Sequence, residues 1–181
     1  MTFKETAIAG LYLVELTPVL DERGFFAVAF EAKEFAARGL DTQVAQVSVS
    51  FNRSRGTLRG MHYQQEPAAE VKLVRCTHGA VYDVAVDLRP GSPTHLQWVA
   101  TELTAENRLA IYIPKGCAHG FQTLQDDCEV FYQVSHEYAP AMARGLRYDD
   151  PAIGITWPLP ATVMSERDRE WPLLPARDAA R

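Results

Sequence analysis

Residues 80–88 read AVYDVAVDL. In an extended chain Tyr82, Val84, Val86 and Leu88 fall on one side, and Val81, Asp83, Ala85 and Asp87 on the other. Two carboxylates on the second side mean that it is not plain core. It meets water or lines a polar cavity, as the interior of a ligand-holding barrel does. Working outward, similar extended segments read at Leu11–Pro18, Gln43–Phe51, Lys72–Thr77, Gln97–Leu103, Arg108–Ile113, Phe121–Gln122 and Glu129–Ser135. Turn residues separate them at Asp21–Gly24, Arg55–Gly56, His78–Gly79, Pro90–Pro93, Pro114–Gly116 and Gln125–Asp127. One helix is expected over Glu31–Arg38, stopped by Gly39. The pattern weakens after Pro140, and the stretch from about residue 170 to 181 reads as a loose tail. The expectation is a single mainly β domain over 1–181, a cupin-like jelly-roll β-barrel with few short helices.

The composition narrows the classes of function. The chain has 181 residues, 47% of them hydrophobic and 23% charged, with a net charge of −5. That is enough for one substantial core. Its basic residues are scattered among acids, so no nucleic-acid footprint is present. No apolar run is long enough to span a bilayer, and the N-terminal MTFKETAIAGLYLVEL lacks the apolar core and cleavage site of a signal peptide. Cys76, Cys117 and Cys128 are an odd number at wide spacing, which implies neither a disulfide framework nor a CxxC metal site. These features together suggest a cytoplasmic protein with reduced thiols.

Two segments invite a metal reading: Gly56–Gln64, GTLRGMHYQ, and Pro114–His119, PKGCAH. Metal-binding cupins carry His-x-His in the first of these. Here the second position is Gln64, and Glu66 and Glu70 nearby do not restore a paired-histidine site. The donor set falls short of the three protein ligands that catalytic zinc or iron requires.

Strand alternation instead gathers Arg59, His62, Lys72, Asp83, His119 and Tyr132 toward the interior. Singly, each has an ordinary structural role. Jointly they suit proton abstraction next to a ketone. A histidine serves as base near neutral pH, a lysine supports the enolate oxygen, and a tyrosine hydroxyl returns a proton to the other face. An arginine suits a diphosphate by bidentate hydrogen bonding. The remaining marked residues read as structural. His78, His95 and His136 fall in or near turns as exposed side chains, Asp149–Pro151 forms a turn, Trp157 packs the C-terminal segment, and Cys117 is a small filler.

ERGFF (22–26), GTLRGMHYQ (56–64), KLVRCTHGAVYDVAVDLRPGSPT (72–94), IPKGCAHGF (113–121), FYQVSHEYAP (131–140), YDDPAIGITWP (148–158) and SERD (165–168) occur in that order. In these motifs, from Arg23 to Asp168, the chain resembles the dTDP-4-dehydrorhamnose 3,5-epimerase family. The resemblance implies a homodimer without metal or cofactor that acts on a dTDP-linked 4-keto-6-deoxyhexose. By the same resemblance His62 is the base, Asp168 its carboxylate partner, Tyr132 the acid and Lys72 the enolate support. Arg23, Phe26, Gln46, Ser48, Arg59, His119, Tyr138 and Arg167 are implied as substrate contacts, with Tyr138 stacking on the base and Asp83 behind the site. The chain departs from the family pattern at Val28 and Ala143, where glutamate is usual, and at Ser48, where asparagine is usual. The segment Gln46–Gly60 is also one residue longer.

Three alternatives stay open on the sequence. They are inversion at C3 alone or C5 alone, a metal-dependent cupin enzyme, and a sugar-nucleotide binding module without catalysis.

Overall fold

A computed structural model describes residues 1–175. It is mainly β with two short helices. The strands are β1 (Thr2–Glu5), β2 (Tyr12–Glu15), β3 (Val19–Asp21), β4 (Gly24–Phe26), β5 (Gln46–Asn52), β6 (Leu58–Gln64), β7 (Lys72–His78), β8 (Ala80–Asp87), β9 (Trp98–Thr104), β10 (Ala110–Ile113), β11 (Cys117–Thr123), β12 (Cys128–Val134) and β13 (Ala143–Gly145). The helices are α1 (Ala32–Ala36) and α2 (Glu166–Glu170).

A six-stranded antiparallel sheet runs β1-β2-β10-β7-β12-β5, and a five-stranded one runs β13-β6-β11-β8-β9. The expected barrel closure is absent among the described residues, because no ladder joins the two sheets. The edge strands β5 and β13 instead both contribute to the walls of one open cavity. β3 and β4 form a separate hairpin around the expected Asp21–Gly24 turn.

Alternation explains how both faces of β8 come to be buried. Val81 and Ala85 join Val74, Cys76, Leu103, Ile111, Ile113, Phe121 and Val130 in the apolar core. Each large aliphatic side chain fully removed from water there contributes about 1.5–3 kcal/mol. On the opposite face Val84 and Val86 pack under Ile153, Ile155, Trp157 and Leu174 of the C-terminal segment. The outer face of the six-stranded sheet is covered by Phe35 of α1 with Phe3 and Phe30. The residues expected to form a loose tail therefore begin in contact. Trp171 and Leu174 are partly buried, and the Leu174 amide donates to Asp150 Oδ2 at 2.6 Å. Residues 176–181 lie outside the described residues. His95 and His136, expected to be exposed, are partly buried.

The two acids of β8 are fully buried but partnered. Asp87 accepts from the Arg89 side chain and backbone, from Ser92 Oγ at 2.6 Å and from Thr94 Oγ1 at 2.7 Å. Burial alone would raise this carboxyl, but the bonds from Arg89, Ser92 and Thr94 outweigh it and hold it far below the ordinary carboxylate range. A carboxyl depressed by folding stabilises the protein fully above its unfolded pKa, about 4, and that contribution is lost as pH falls through the folded value. Asp87→Asn should cost about 2 kcal/mol at pH 7, discounted because Arg89 partly faces solvent. In thermal melts the gap from the parent should narrow below about pH 4.

Candidate active site

The space between the sheets is apolar on one side and opens on the other as a cavity of about 490 Å³, a size suited to a small ligand. Gln46, Ser48 and Ser50 of β5, Lys72 of β7 and Tyr132 of β12 line one wall. Arg59, His62 and Gln64 of β6 and His119 of β11 line the other. Tyr138, Arg144 and Arg167 complete the rim.

Alternation was expected to turn both Arg59 and His62 inward, but they stand three positions apart, and a regular strand would send them to opposite faces. A bulge in β6 brings them together. His119 pairs with His62 and Phe121 with Arg59, so three steps on β6 face two on β11. The extra residue sits where Gly60, at φ 144, meets Gly120; a Cβ on Gly60 would lie 2.5 Å from the Gly120 Cα. Met61 is thereby left fully buried on the opposite, outer face of the sheet.

Each histidine is held by its own carboxylate. His62 Nε2 lies 2.6 Å from Asp168 Oδ1, with Asp168 almost fully buried behind it. Burial pushes the Asp168 carboxyl up, but the His62 bond and charge, the Gly60 amide and Ser165 pull it further down, so the net direction is below the usual carboxylate value. Asp168 is therefore ionised near neutral pH and accepts from Nε2–H, which leaves Nδ1 as the ring nitrogen with a free lone pair. His119 Nε2 lies 2.9 Å from Asp83 Oδ2, both side chains being buried, and the other Asp83 oxygen has no partner among the described residues.

Facing them, the Tyr132 hydroxyl is 3.2 Å from Ser50 Oγ. Desolvation, partly offset by that bond, raises the phenol well above its ordinary value, so it keeps its proton at neutral pH. Lys72 Nζ reaches across to donate to the His62 carbonyl at 3.1 Å and pairs with Glu70 Oε1 at 3.2 Å. Arg59 Nε donates to Asn52 Oδ1 at 2.7 Å, and Arg167 Nη1 to the Tyr138 hydroxyl at 2.9 Å. Gln46 donates to Ser48 Oγ and accepts from the Tyr138 amide.

Of the residues marked in the sequence, His62, Lys72, Tyr132, Gln46, Ser48, Arg59, His119, Tyr138 and Arg167 line this cavity. Asp168 and Asp83 stand directly behind its two histidines. Arg23 and Phe26 do not reach it. They sit on the β3–β4 hairpin, where the Arg23 side chain is 85% exposed and pairs with Asp21. Ser50, Tyr63, Gln64, Glu70, Phe121, Val134 and Arg144 also line the cavity and were not marked as contacts. Ser50 was within reach, being two positions past Ser48 on the same alternating face. Arg144 was not, because β13 spans only three residues. The described residues contain no group of three or more His, Cys, Asp or Glu side chains placed to hold a metal ion. The two facing histidines are occupied by carboxylates and Gln64 by Glu70 and the backbone.

Trp171, the residue that follows α2, packs beside His62. Its ring covers Gly145, the residue paired with His62 across β13 and β6, and meets the His62 ring edge-on at 6.4 Å. Arg167 lies over the same indole ring, 4.8 Å from its centre. The α2 N-terminus is capped by Ser165, and the preceding Val163 carbonyl accepts from the Leu58 amide. Asp168 is thus positioned by packing on both sides of its helix.

Residues 5–176 match the family model described as dTDP-4-dehydrorhamnose 3,5-epimerase. A curated relative of that name from Sinorhizobium fredii is 45% identical over 175 residues, covering 96% of this chain and 90% of its own. The crystal structure of the Bacillus anthracis dTDP-4-dehydrorhamnose 3,5-epimerase, with TDP and PPi bound, superposes with a TM-score of 0.92 at 38% identity, covering 96% of this chain and 99% of that one. A 3'-monoepimerase from Streptomyces bikiniensis in complex with dTDP-quinovose superposes at 0.85 with 37% identity, covering 93% and 85%.

A Cβ at position 145 would lie 2.1 Å from Trp171 Cε2, so Gly145→Ala must drive the indole away. The three tryptophans, Trp98, Trp157 and Trp171, give three indole N–H signals in a nitrogen-15 NMR spectrum. One of them should shift in this variant, together with the ring protons of His62. Unchanged spectra would contradict the packing.

Proposed function

The chain belongs to the dTDP-4-dehydrorhamnose 3,5-epimerase family, and from that premise we propose that its cavity takes a dTDP-linked 4-keto-6-deoxyhexose and inverts it at C3, C5 or both through an enolate. The observation that carries the proposal is the placement of His62 and Tyr132 on opposite walls, with Lys72 bridging between the sheets.

In the proposed mechanism Asp168 holds Nε2–H of His62, so Nδ1 takes the proton from the carbon next to the ketone. Negative charge moves to the ketone oxygen, where the Lys72 ammonium meets it. Tyr132, protonated at neutral pH, returns a proton to the opposite face, and the stereocentre inverts. His119, held by Asp83, lines the same wall. Arg59, Arg144 and Arg167 give the cavity the positive charge that a diphosphate requires, and the exposed Tyr138 ring is positioned by Arg167 to stack on a base. Every step uses side chains alone, and no cofactor enters it. The two facing sheets fit a cupin-like jelly roll. The cytoplasm is the proposed setting, where three unpaired cysteines stay reduced; among the described residues no helix is long and apolar enough to cross a membrane.

A homodimer is part of the same proposal. The outer face of β5 presents Val47, Val49 and Phe51 at 50%, 56% and 52% exposure, and the hairpin presents Val19, Leu20, Phe25 and Phe26. Such apolar surface on an edge strand and a projecting hairpin calls for cover. A second copy would supply it and would bring Arg23 and Phe26 toward a cavity they do not reach within one chain.

Incubation with dTDP-4-keto-6-deoxyglucose in D2O, followed by proton NMR, tests the chemistry and counts which carbons take up deuterium. Uptake with inversion at both carbons identifies the 3,5-epimerase; uptake with inversion at one identifies the mono-epimerase. His62→Ala should abolish uptake, and persistent exchange would refute its role as base. Tyr132→Phe should keep exchange while inversion falls about 100-fold or more; unimpaired inversion would remove it as the acid.

Val49→Asp should convert a dimer into monomers in sedimentation velocity and lower kcat/KM. A monomer of full activity would show that no residue from a partner is needed.

A further inference from the structure

Glu70 is the one acidic side chain on the cavity wall among the described residues, against the cations Arg59, Lys72, Arg144 and Arg167. It lies in the turn between β6 and β7, and its side chain is only 11% exposed. A carboxylate placed among groups meant to bind an anion opposes that binding unless it serves another purpose. Its two oxygens show the purpose. Oε1 pairs with Lys72 Nζ at 3.2 Å, and Oε2 accepts from Gln64 Nε2 at 2.9 Å. Gln64 is itself immobilised. Its amide nitrogen donates to the Ala68 and Glu137 carbonyls, and its oxygen accepts from the Ala139 amide at 2.6 Å.

The Lys72 ammonium is thereby held from two directions, by Glu70 on one side and the His62 carbonyl on the other. An ammonium has three N–H donors on a flexible four-carbon stem. Facing two fixed acceptors leaves the third hydrogen for the cavity, beside the base that generates the enolate. Both neighbours of Glu70 are donors, so the position needs a group that accepts on two sides. A carboxylate does this, whereas an amide accepts on only one.

We infer that Glu70, fixed by Gln64, is a positioning residue for Lys72: it aims the ammonium at the ketone oxygen and does not contribute to nucleotide binding. The inference rests on the reading of Lys72 as the enolate support.

The test compares Glu70→Ala, Glu70→Gln, Lys72→Ala and the Glu70→Ala/Lys72→Ala pair, using dTDP-4-keto-6-deoxyglucose for kinetics and dTDP alone for calorimetric affinity. Thermal melts of each variant verify folding, and Glu70→Gln keeps the shape of the side chain should Glu70→Ala prove unstable. Glu70→Ala should lower kcat about 100-fold, the cost of a misplaced catalytic group, with KM and dTDP affinity within about threefold. Glu70→Gln should fall between it and the parent. The pair should be no slower than Lys72→Ala alone, since an aim without a lysine has no effect. Parental kcat in both Glu70 variants, with Lys72→Ala inactive, would overturn the inference, as would a loss confined to dTDP affinity. Full activity in Lys72→Ala would instead reject the lysine reading beneath it.

Discussion

Two glycines on neighbouring strands meet where no Cβ fits, and the arrangement of the cavity follows from that contact. Gly60 and Gly120 approach so closely that β6 takes one more residue than β11 over the same length. Without the extra residue, the period of two that governs any strand would send either Arg59 or His62 out of the sandwich. With it, a cation and an imidazole share one wall, while Met61 fills the outer side of the sheet. The bulge also places His62 directly beside His119, so that two imidazoles stand next to each other and each requires a carboxylate of its own.

Those carboxylates come from different parts of the fold. Asp83 is in the middle of a central strand and is buried at no risk of movement. Asp168 arrives on a five-residue helix whose own hydrogen bonds could not keep it folded. Its order is imposed from outside, by the cap at Ser165, by the indole over Gly145 and by the bond from Leu174 to Asp150. The same economy appears in Asp87, whose partners are a loop it organises. In each case a buried charge is tolerable because donors surround it, and removing one partner costs more than the pair contributes.

Much of this architecture was legible in the chain, for physical reasons that also set the limit. Alternation in residues 80–88 separated the two faces of β8, but the face with Asp83 and Asp87 joins the apolar core and neither acid lines the cavity; β7, β8, β9 and β12 lie within a residue or two of the segments read for them. His62, Lys72 and Tyr132 gather at one cavity as the residue types suggested. Parity could not be read, because a glycine bulge leaves no mark in hydrophobic period. The stretch from Glu170 to Leu174 read as part of a tail because its contacts are long-range in sequence: Trp171 packs on Gly145 and the Leu174 amide bonds Asp150. The hairpin that carries Arg23 and Phe26 has its turn signal in plain view, yet where it points is a matter of tertiary structure. Glu70 was noticed only as a metal ligand that failed, since its pairing with Lys72 depends on a turn that brings it back over the sheet.

The position of Asp168 in the chain has a consequence for biogenesis. Every strand of both sheets precedes it, so a nascent chain can complete its sandwich before the partner of His62 has left the ribosome. At that moment the polypeptide is already a shaped vessel with its imidazole untethered. Competence arrives after both sheets, when a short segment settles across a glycine and clasps a ring that has been waiting for it.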